Sequence, residues 1–68
     1  MTPTAIRERI SEVVRVSAAH DHERAHKLEA ELLADVLGYI ALERPSNAGE
    51  LAGEALEVKR VQFPRWYS

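Results

Sequence analysis

Apolar side chains recur along the chain with the period of an α-helix. In the first segment they return at every third or fourth position from Ile6 to Val14, and charged residues lie mostly between them. Residues three and four apart share one face of a helix, so this spacing predicts an amphipathic helix at about residues 3–19. Pro3 suits the first helical position, and Thr2 is placed to cap it.

The second segment carries the strongest pattern in the chain. Its apolar residues fall within one half of a helical wheel, and the charged residues fall largely on the other half, which predicts a helix at about residues 22–43. Asp21 is suited to cap its start, although one long helix continuing from the first segment is an alternative that the sequence leaves open. The step from Arg44 to Pro45 predicts its end, because the residue before a proline disfavours the helical conformation.

A third helix and a tail complete the pattern. Apolar residues return at helical spacing from Leu51 to Val58, and Asn47 stands three positions before a glutamate, as in a capping box. This helix is predicted to end near residue 60, before a Phe-Pro step. No segment alternates like a strand. We therefore predict an all-α fold, a single three-helix domain over residues 1–68, built as a helical hairpin plus a third helix with an extended aromatic C-terminal tail.

Size and composition narrow what such a domain can be. A chain of 68 residues buries a small core, and a monomer of this size is marginally stable. The chain contains no cysteine, which excludes disulfides, thiolate metal sites and a cysteine nucleophile. Tight helix packing, association with a second chain or a metal site of histidines and carboxylates can then stabilise such a domain, and we predict a homodimer.

Charge and hydropathy restrict the partners further. The formal net charge of −2 provides no general attraction to nucleic acid, which we do not expect as a partner. The most apolar stretch, residues 32–42, is much shorter than the roughly 20 residues of a membrane-spanning helix. The N-terminus lacks the basic and apolar regions of a secretory signal. We expect a cytoplasmic protein with no membrane partner.

Residues 22–26 read His-Glu-Arg-Ala-His, which is the HExxH spacing of zinc metalloproteases. On a helix His22 and His26 share one face, and Glu23 would act as the base toward a zinc-bound water. A catalytic zinc needs a third protein ligand, and position 32, where one form of the motif places a histidine, is a leucine. We therefore predict no catalytic residues and no cofactor, with a zinc-dependent hydrolase as the alternative hypothesis. The same residues hold one Glu-x-x-His unit, which di-iron helix bundles use in pairs.

Glu29, three positions after the HExxH motif ends, suggests a structural role for His26. His26 and Glu29 are three positions apart, so a helix places them on the same face. Glu29 falls in the apolar half of the wheel, where a buried carboxylate requires a partner. We predict that His26 and Glu29 form a structural polar pair.

The C-terminal segment carries three of the four aromatic residues, beside several basic side chains. Because tryptophan, tyrosine and arginine are enriched at binding hot spots, we predict interaction residues in this tail, namely Phe63, Arg65, Trp66 and Tyr67. We expect the tail to fold back over the helices or to dock onto a second subunit. Base stacking on these rings is a further alternative, which would make the chain a nucleic-acid-binding accessory protein.

Four segments form a distinctive set: Ala-His-Lys-Leu-Glu at 25–29, Val-Leu-Gly-Tyr-Ile-Ala at 36–41, Leu-Ala-Gly-Glu-Ala-Leu at 51–56 and Phe-Pro-Arg-Trp-Tyr at 63–67. Over these segments, from about Asp21 onward, the chain resembles a group of small uncharacterised proteins encoded by actinobacterial phages and related prophages. The first histidine of HExxH is not part of the group's pattern. The positions that match it are His26, Glu29, Phe63, Arg65 and Trp66.

The resemblance implies a non-virion phage accessory protein that acts in the cytoplasm of the bacterial host, and it implies no particular chemistry. Together with the composition, it leads to our functional prediction. We expect a small phage accessory protein that acts by protein–protein interaction, through self-association and with a host protein as a further candidate partner, without catalysis.

Overall fold

Three helices follow one another in the computed structural model of the protein, which describes residues 1–65. They are α1 (Pro3–Ala18), α2 (His22–Glu43) and α3 (Ala48–Leu56), and a short 3-10 helix (Glu57–Arg60) continues α3. The described residues contain no strand, and residues 61–65 have no regular secondary structure. The predicted all-α fold of three helices is confirmed.

The start of α1 follows from two neighbouring residues. The Thr2 hydroxyl accepts a hydrogen bond from the Ala5 backbone N–H at 3.1 Å, and Pro3 occupies the first helical position. The proline has no N–H to leave unsatisfied there, and its fixed φ suits a helix. The sequence prediction of this start is confirmed.

α1 and α2 are separate helices, so the alternative of one long helix is wrong. His20 adopts a left-handed conformation with φ 64°, which a helix cannot continue through. The Asp21 carboxylate then accepts a hydrogen bond from the Arg24 backbone N–H at 3.2 Å and caps α2. The reversal between the two residues turns α2 back against α1.

The turn between α2 and α3 is stabilised by different hydrogen bonds at its two ends. Arg44 takes a left-handed conformation with φ 47°, and its backbone N–H donates to the Ile40 carbonyl at 3.0 Å, closing α2. Asn47 is the N-cap of α3, as predicted, but its side chain does not bond to the backbone of the helix. Its amide nitrogen instead donates to the Glu50 carboxylate at 3.3 Å.

The core draws apolar side chains from every helix. Its members are fully or almost fully buried: Ile6, Val13, Val16, Ala25, Leu32, Val36, Leu51, Ala55 and Val58. Phe63 and Val61, beyond the last helix, pack against this cluster. The valines and isoleucines of α1 are poor helix formers in isolation, so burial against α2 and α3 stabilises that helix.

Ion pairs at the surface join α1 to the other two helices. Arg7 reaches Glu54 of α3 at 3.0 Å, and Arg9 reaches Asp35 of α2 at 2.9 Å. Exposed pairs of this kind contribute at most about 1 kcal/mol each. The apolar core therefore supplies most of the stability. The ion pairs help to orient the helices around it. Within residues 1–65, no helix combines the length and the apolar character needed to cross a membrane.

Candidate functional site

Glu29 is the buried charged residue of the described structure, with a relative exposure of 1%. It lies on α2 between Ala25 and Leu32, on the helix face that packs into the core. Residues at this spacing point the same way, so the backbone directs the carboxylate into apolar surroundings. A carboxylate there is stable only with partners, as the sequence predicted.

The partners of Glu29 come from the C-terminal part of the chain. The Lys59 ammonium lies 2.6 Å from Oε1, and the Nε of Arg65 donates a hydrogen bond to Oε2 at 2.7 Å. The Lys59 contact is an ion pair without hydrogen-bond geometry, whereas the Arg65 contact has both. We call these three side chains the Glu29 clamp, because they tie α2 to the 3-10 helix and to the segment beyond it.

Arg65 also secures the backbone around it. Its guanidinium donates to the carbonyl of Val61 at 2.7 Å and to that of Val58 at 3.3 Å. Its central carbon lies 4.0 Å from the centroid of the Phe63 ring, which is a cation–π contact. The fork of N–H donors is thus spread over a carboxylate and several carbonyls, which fixes the path of residues 58–65.

Two opposing effects set the pKa of Glu29. Burial favours the neutral acid and raises the pKa, but the close positive charges of Lys59 and Arg65, together with the Arg65 hydrogen bond, outweigh burial and bring the pKa below its ordinary value. The carboxylate is therefore ionised at neutral pH. General acid–base catalysis requires a pKa near the working pH, so the Glu29 clamp is suited to holding the structure together and not to proton transfer.

The HExxH residues lie at the start of α2. His22 is the first residue of the helix, and His26 follows one turn later on the same side, as the motif predicts. Both imidazoles are partly buried, and Glu23 is exposed. In the part of the chain that the structure describes, no three His, Asp or Glu side chains are gathered as a metal-binding group. These residues therefore provide at most two histidines and one carboxylate, without a third ligand beyond the motif.

The predicted pairing of His26 with Glu29 stays a prediction. The two residues lie on α2 three positions apart, and the salt bridges of Glu29 described above are with Lys59 and Arg65. Sequence reasoning identified Glu29 as a residue that needs a partner but did not find these two. They lie 30 and 36 positions later in the chain, and no local pattern connects such distant residues.

Two predicted interaction residues of the tail contact the protein's own core. Phe63 packs against the core cluster, and Arg65 belongs to the Glu29 clamp with 27% of its side chain exposed. Trp66 and Tyr67 lie outside the described residues. Since the basic groups of Lys59 and Arg65 are paired with Glu29, they are less available to bind phosphates than the sequence suggested.

An apolar groove of about 200 Å³ runs between α2 and α3. The described residues that line it are all apolar: Leu33, Val36, Leu37, Ala52, Ala55 and Leu56. Leu37 is 64% exposed and Leu56 is 58% exposed, so two large side chains at this groove face solvent. The helical wheel placed Leu37 with the core residues, but the face of α2 is wider than α1 and α3 can cover.

Such a surface can accept apolar side chains from a partner. Contiguous exposed apolar patches on small proteins mark binding sites more often than isolated exposed leucines do. The groove and the two leucines are therefore the second candidate site, separate from the Glu29 clamp. Comparison with protein-family models found no match to this chain, and comparisons with curated proteins and with solved structures found none either.

Proposed function

We propose that this chain is a small non-catalytic protein that acts by protein–protein interaction, first with a second copy of itself and then with a host protein. The observation that carries the proposal is the uncovered apolar groove between α2 and α3, with Leu37 and Leu56 at its edges. The resemblance to phage accessory proteins suggests the setting, which is the cytoplasm of an infected bacterium.

Burial energetics support self-association. A fully buried leucine gains roughly 1.5–3 kcal/mol over an exposed one, so covering Leu37 and Leu56 would add materially to a small domain. A partner that binds only the folded chain also shifts the folding equilibrium toward the folded state. A chain of 68 residues in which residues 1–65 contribute nine buried apolar side chains to the core benefits from both effects.

We propose a function without catalysis because of the chemistry of the polar residues. Glu29 is ionised, buried and doubly paired, which suits a structural role. The HExxH segment supplies His22 and His26 without a third ligand among the described residues. The zinc-dependent hydrolase remains the alternative function, and it requires a stoichiometric metal.

Native mass spectrometry of the untagged protein, purified without chelator and then exposed to Zn²⁺, tests both functions. We expect a dimer whose mass and stability do not depend on zinc. A monomer at every concentration would contradict self-association. One tightly held zinc per chain or per dimer, lost in a His26→Ala variant, would favour the hydrolase instead.

A further inference from the structure

We infer that two copies of the chain pair through the outward face of α2, with the two helices antiparallel. The inference rests on the proposed self-association and specifies its surface and register. Four observations carry it: an uncharged stretch in the middle of the face, opposite charges at its two ends, one register that satisfies both, and the groove beside it.

The middle of this face carries no charge over about three turns. Its residues recur at intervals of one, three or four and alternate between small and large side chains: Ala30, Leu33, Ala34, Leu37 and Ala41. All except the partly buried Leu33 are exposed to solvent. A helix face of this spacing is what a neighbouring helix packs against.

Opposite charges stand at the two ends of the face. Glu23 lies in the first turn of α2 and Arg44 is its C-cap, about 30 Å apart along the helix axis. Both are exposed, and within residues 1–65 neither side chain takes part in an ion pair or hydrogen bond. Neither charge is therefore paired by another of the described residues.

An antiparallel arrangement brings these features together in one register. When Glu23 lies opposite the second copy's Arg44, two-fold symmetry repeats the same pair at the other end. The same register places Ala30 opposite Leu37 and Leu33 opposite Ala34, so each leucine meets a small residue. A parallel pair would instead place Glu23 against Glu23 and Arg44 against Arg44, which is repulsive.

The register also limits the angle between the helices. Both end pairs can form only if the axes stay close along the whole of α2, which requires a shallow crossing of about 20°. A steeper crossing would separate the ends by more than the two side chains can span. At the shallow angle the second copy lies beside the groove between α2 and α3, where it would cover part of Leu56.

Engineered cysteines test the register directly, because the natural chain has none. In a Glu23→Cys, Arg44→Cys double variant, the two thiols of one chain are too far apart to join. We expect mild oxidation to give a covalent dimer, seen on non-reducing gels. The matched control is Glu23→Cys alone, which should stay non-covalent in an antiparallel pair and should cross-link in a parallel one.

Two leucine variants test the surface. Leu37→Glu places a charge in the centre of the face and should weaken the dimer at least about tenfold, since more than 1.4 kcal/mol of apolar burial is lost. Leu42→Glu is the control, because Leu42 is 83% exposed on another side of α2 and should leave the dimer unchanged. Circular dichroism should show both variants folded.

The outcomes separate this inference from the proposed function. A wild-type dimer that neither cross-links through the cysteine pair nor responds to Leu37→Glu would overturn the α2 interface while self-association stands. A wild-type monomer by analytical ultracentrifugation would overturn both. A covalent dimer from the double variant, together with a Leu37→Glu monomer, supports both.

Discussion

At the scale of single residues, Glu29 holds three parts of the chain together. Its carboxylate joins α2 to Lys59 in the 3-10 helix and to Arg65 beyond it. Burying an ion pair stabilises a protein less than its contacts suggest, because each charge loses its hydration. Removing one partner is nevertheless costly, since the charge that remains stays buried without compensation.

The two cations should therefore differ in importance. We expect Arg65→Ala to lower the free energy of unfolding by about 2 to 3 kcal/mol, because it leaves Glu29 short of its hydrogen-bonded partner. Lys59→Ala should cost less than about 1 kcal/mol, since 55% of that side chain is exposed and water can replace it. Urea unfolding measures both. Arg60→Ala, at an exposed pair with Glu57, is the control; equal losses for Arg65→Ala and Arg60→Ala would contradict the role of the clamp.

The same clamp should make the protein sensitive to acid. Because the pKa of Glu29 in the folded chain lies below the ordinary value of 4.5, the unfolded chain binds the proton more readily. The contribution of the clamp is then complete above about pH 4.5 and is lost as the pH falls through the folded-state pKa. We expect Glu29→Gln to flatten the fall in stability below that pH. Urea unfolding of the wild type and of the variant at several pH values measures this. If the stability of both falls equally steeply with decreasing pH, the expectation is refuted.

At the scale of secondary-structure elements, the reversal between α1 and α2 decides the architecture. His20 adopts a left-handed conformation, and the Asp21 carboxylate then accepts a hydrogen bond from a backbone N–H at the start of α2. The start of α3 lacks such a bond, although Asn47 is a residue type that often provides one. The two N-caps therefore look alike in sequence and differ in what they contribute.

This difference predicts unequal effects of the same substitution. We expect Asp21→Ala to lower the free energy of unfolding by about 1 kcal/mol, because the Arg24 N–H loses its acceptor. Asn47→Ala should cost clearly less, since it removes only a contact with Glu50. Thermal unfolding of the two variants side by side would decide the matter, and an equal loss would show that the hydrogen bond of Asp21 contributes little.

At the scale of the whole molecule, the segment after the last helix completes the core. Phe63 packs on the apolar cluster, and Arg65 links that segment to α2. Neither contact is local in the chain. The stability of the helical body therefore depends on residues that belong to no regular element.

Truncation tests this dependence. We expect deletion of residues 63–68 to lower the melting temperature by several degrees or more, because it removes an aromatic core contact and a partner of Glu29. Deletion of residues 66–68 alone is the control, since it keeps both. If the two truncated chains melt at the same temperature, the Glu29 clamp and Phe63 do not stabilise the fold as we infer.

Local patterns in the sequence predicted much of this architecture. The apolar spacing predicted all three helices, Thr2 and Pro3 predicted the start of α1, and the step from Arg44 to Pro45 predicted the end of α2. These features depend on residues within a turn or two of one another. Backbone geometry and short-range hydrogen bonds determine them, so they need no knowledge of the rest of the chain.

Only the tertiary structure decided which cations neutralise Glu29 and which part of the apolar face stays uncovered. Lys59 and Arg65 are 30 and 36 positions from the carboxylate, and Leu37 remains 64% exposed at the groove between α2 and α3. A helical wheel shows which residues share a face, but it does not show where a neighbouring helix begins or ends. Burial and long-range charge pairing arise from that placement, and both candidate sites of this protein depend on it.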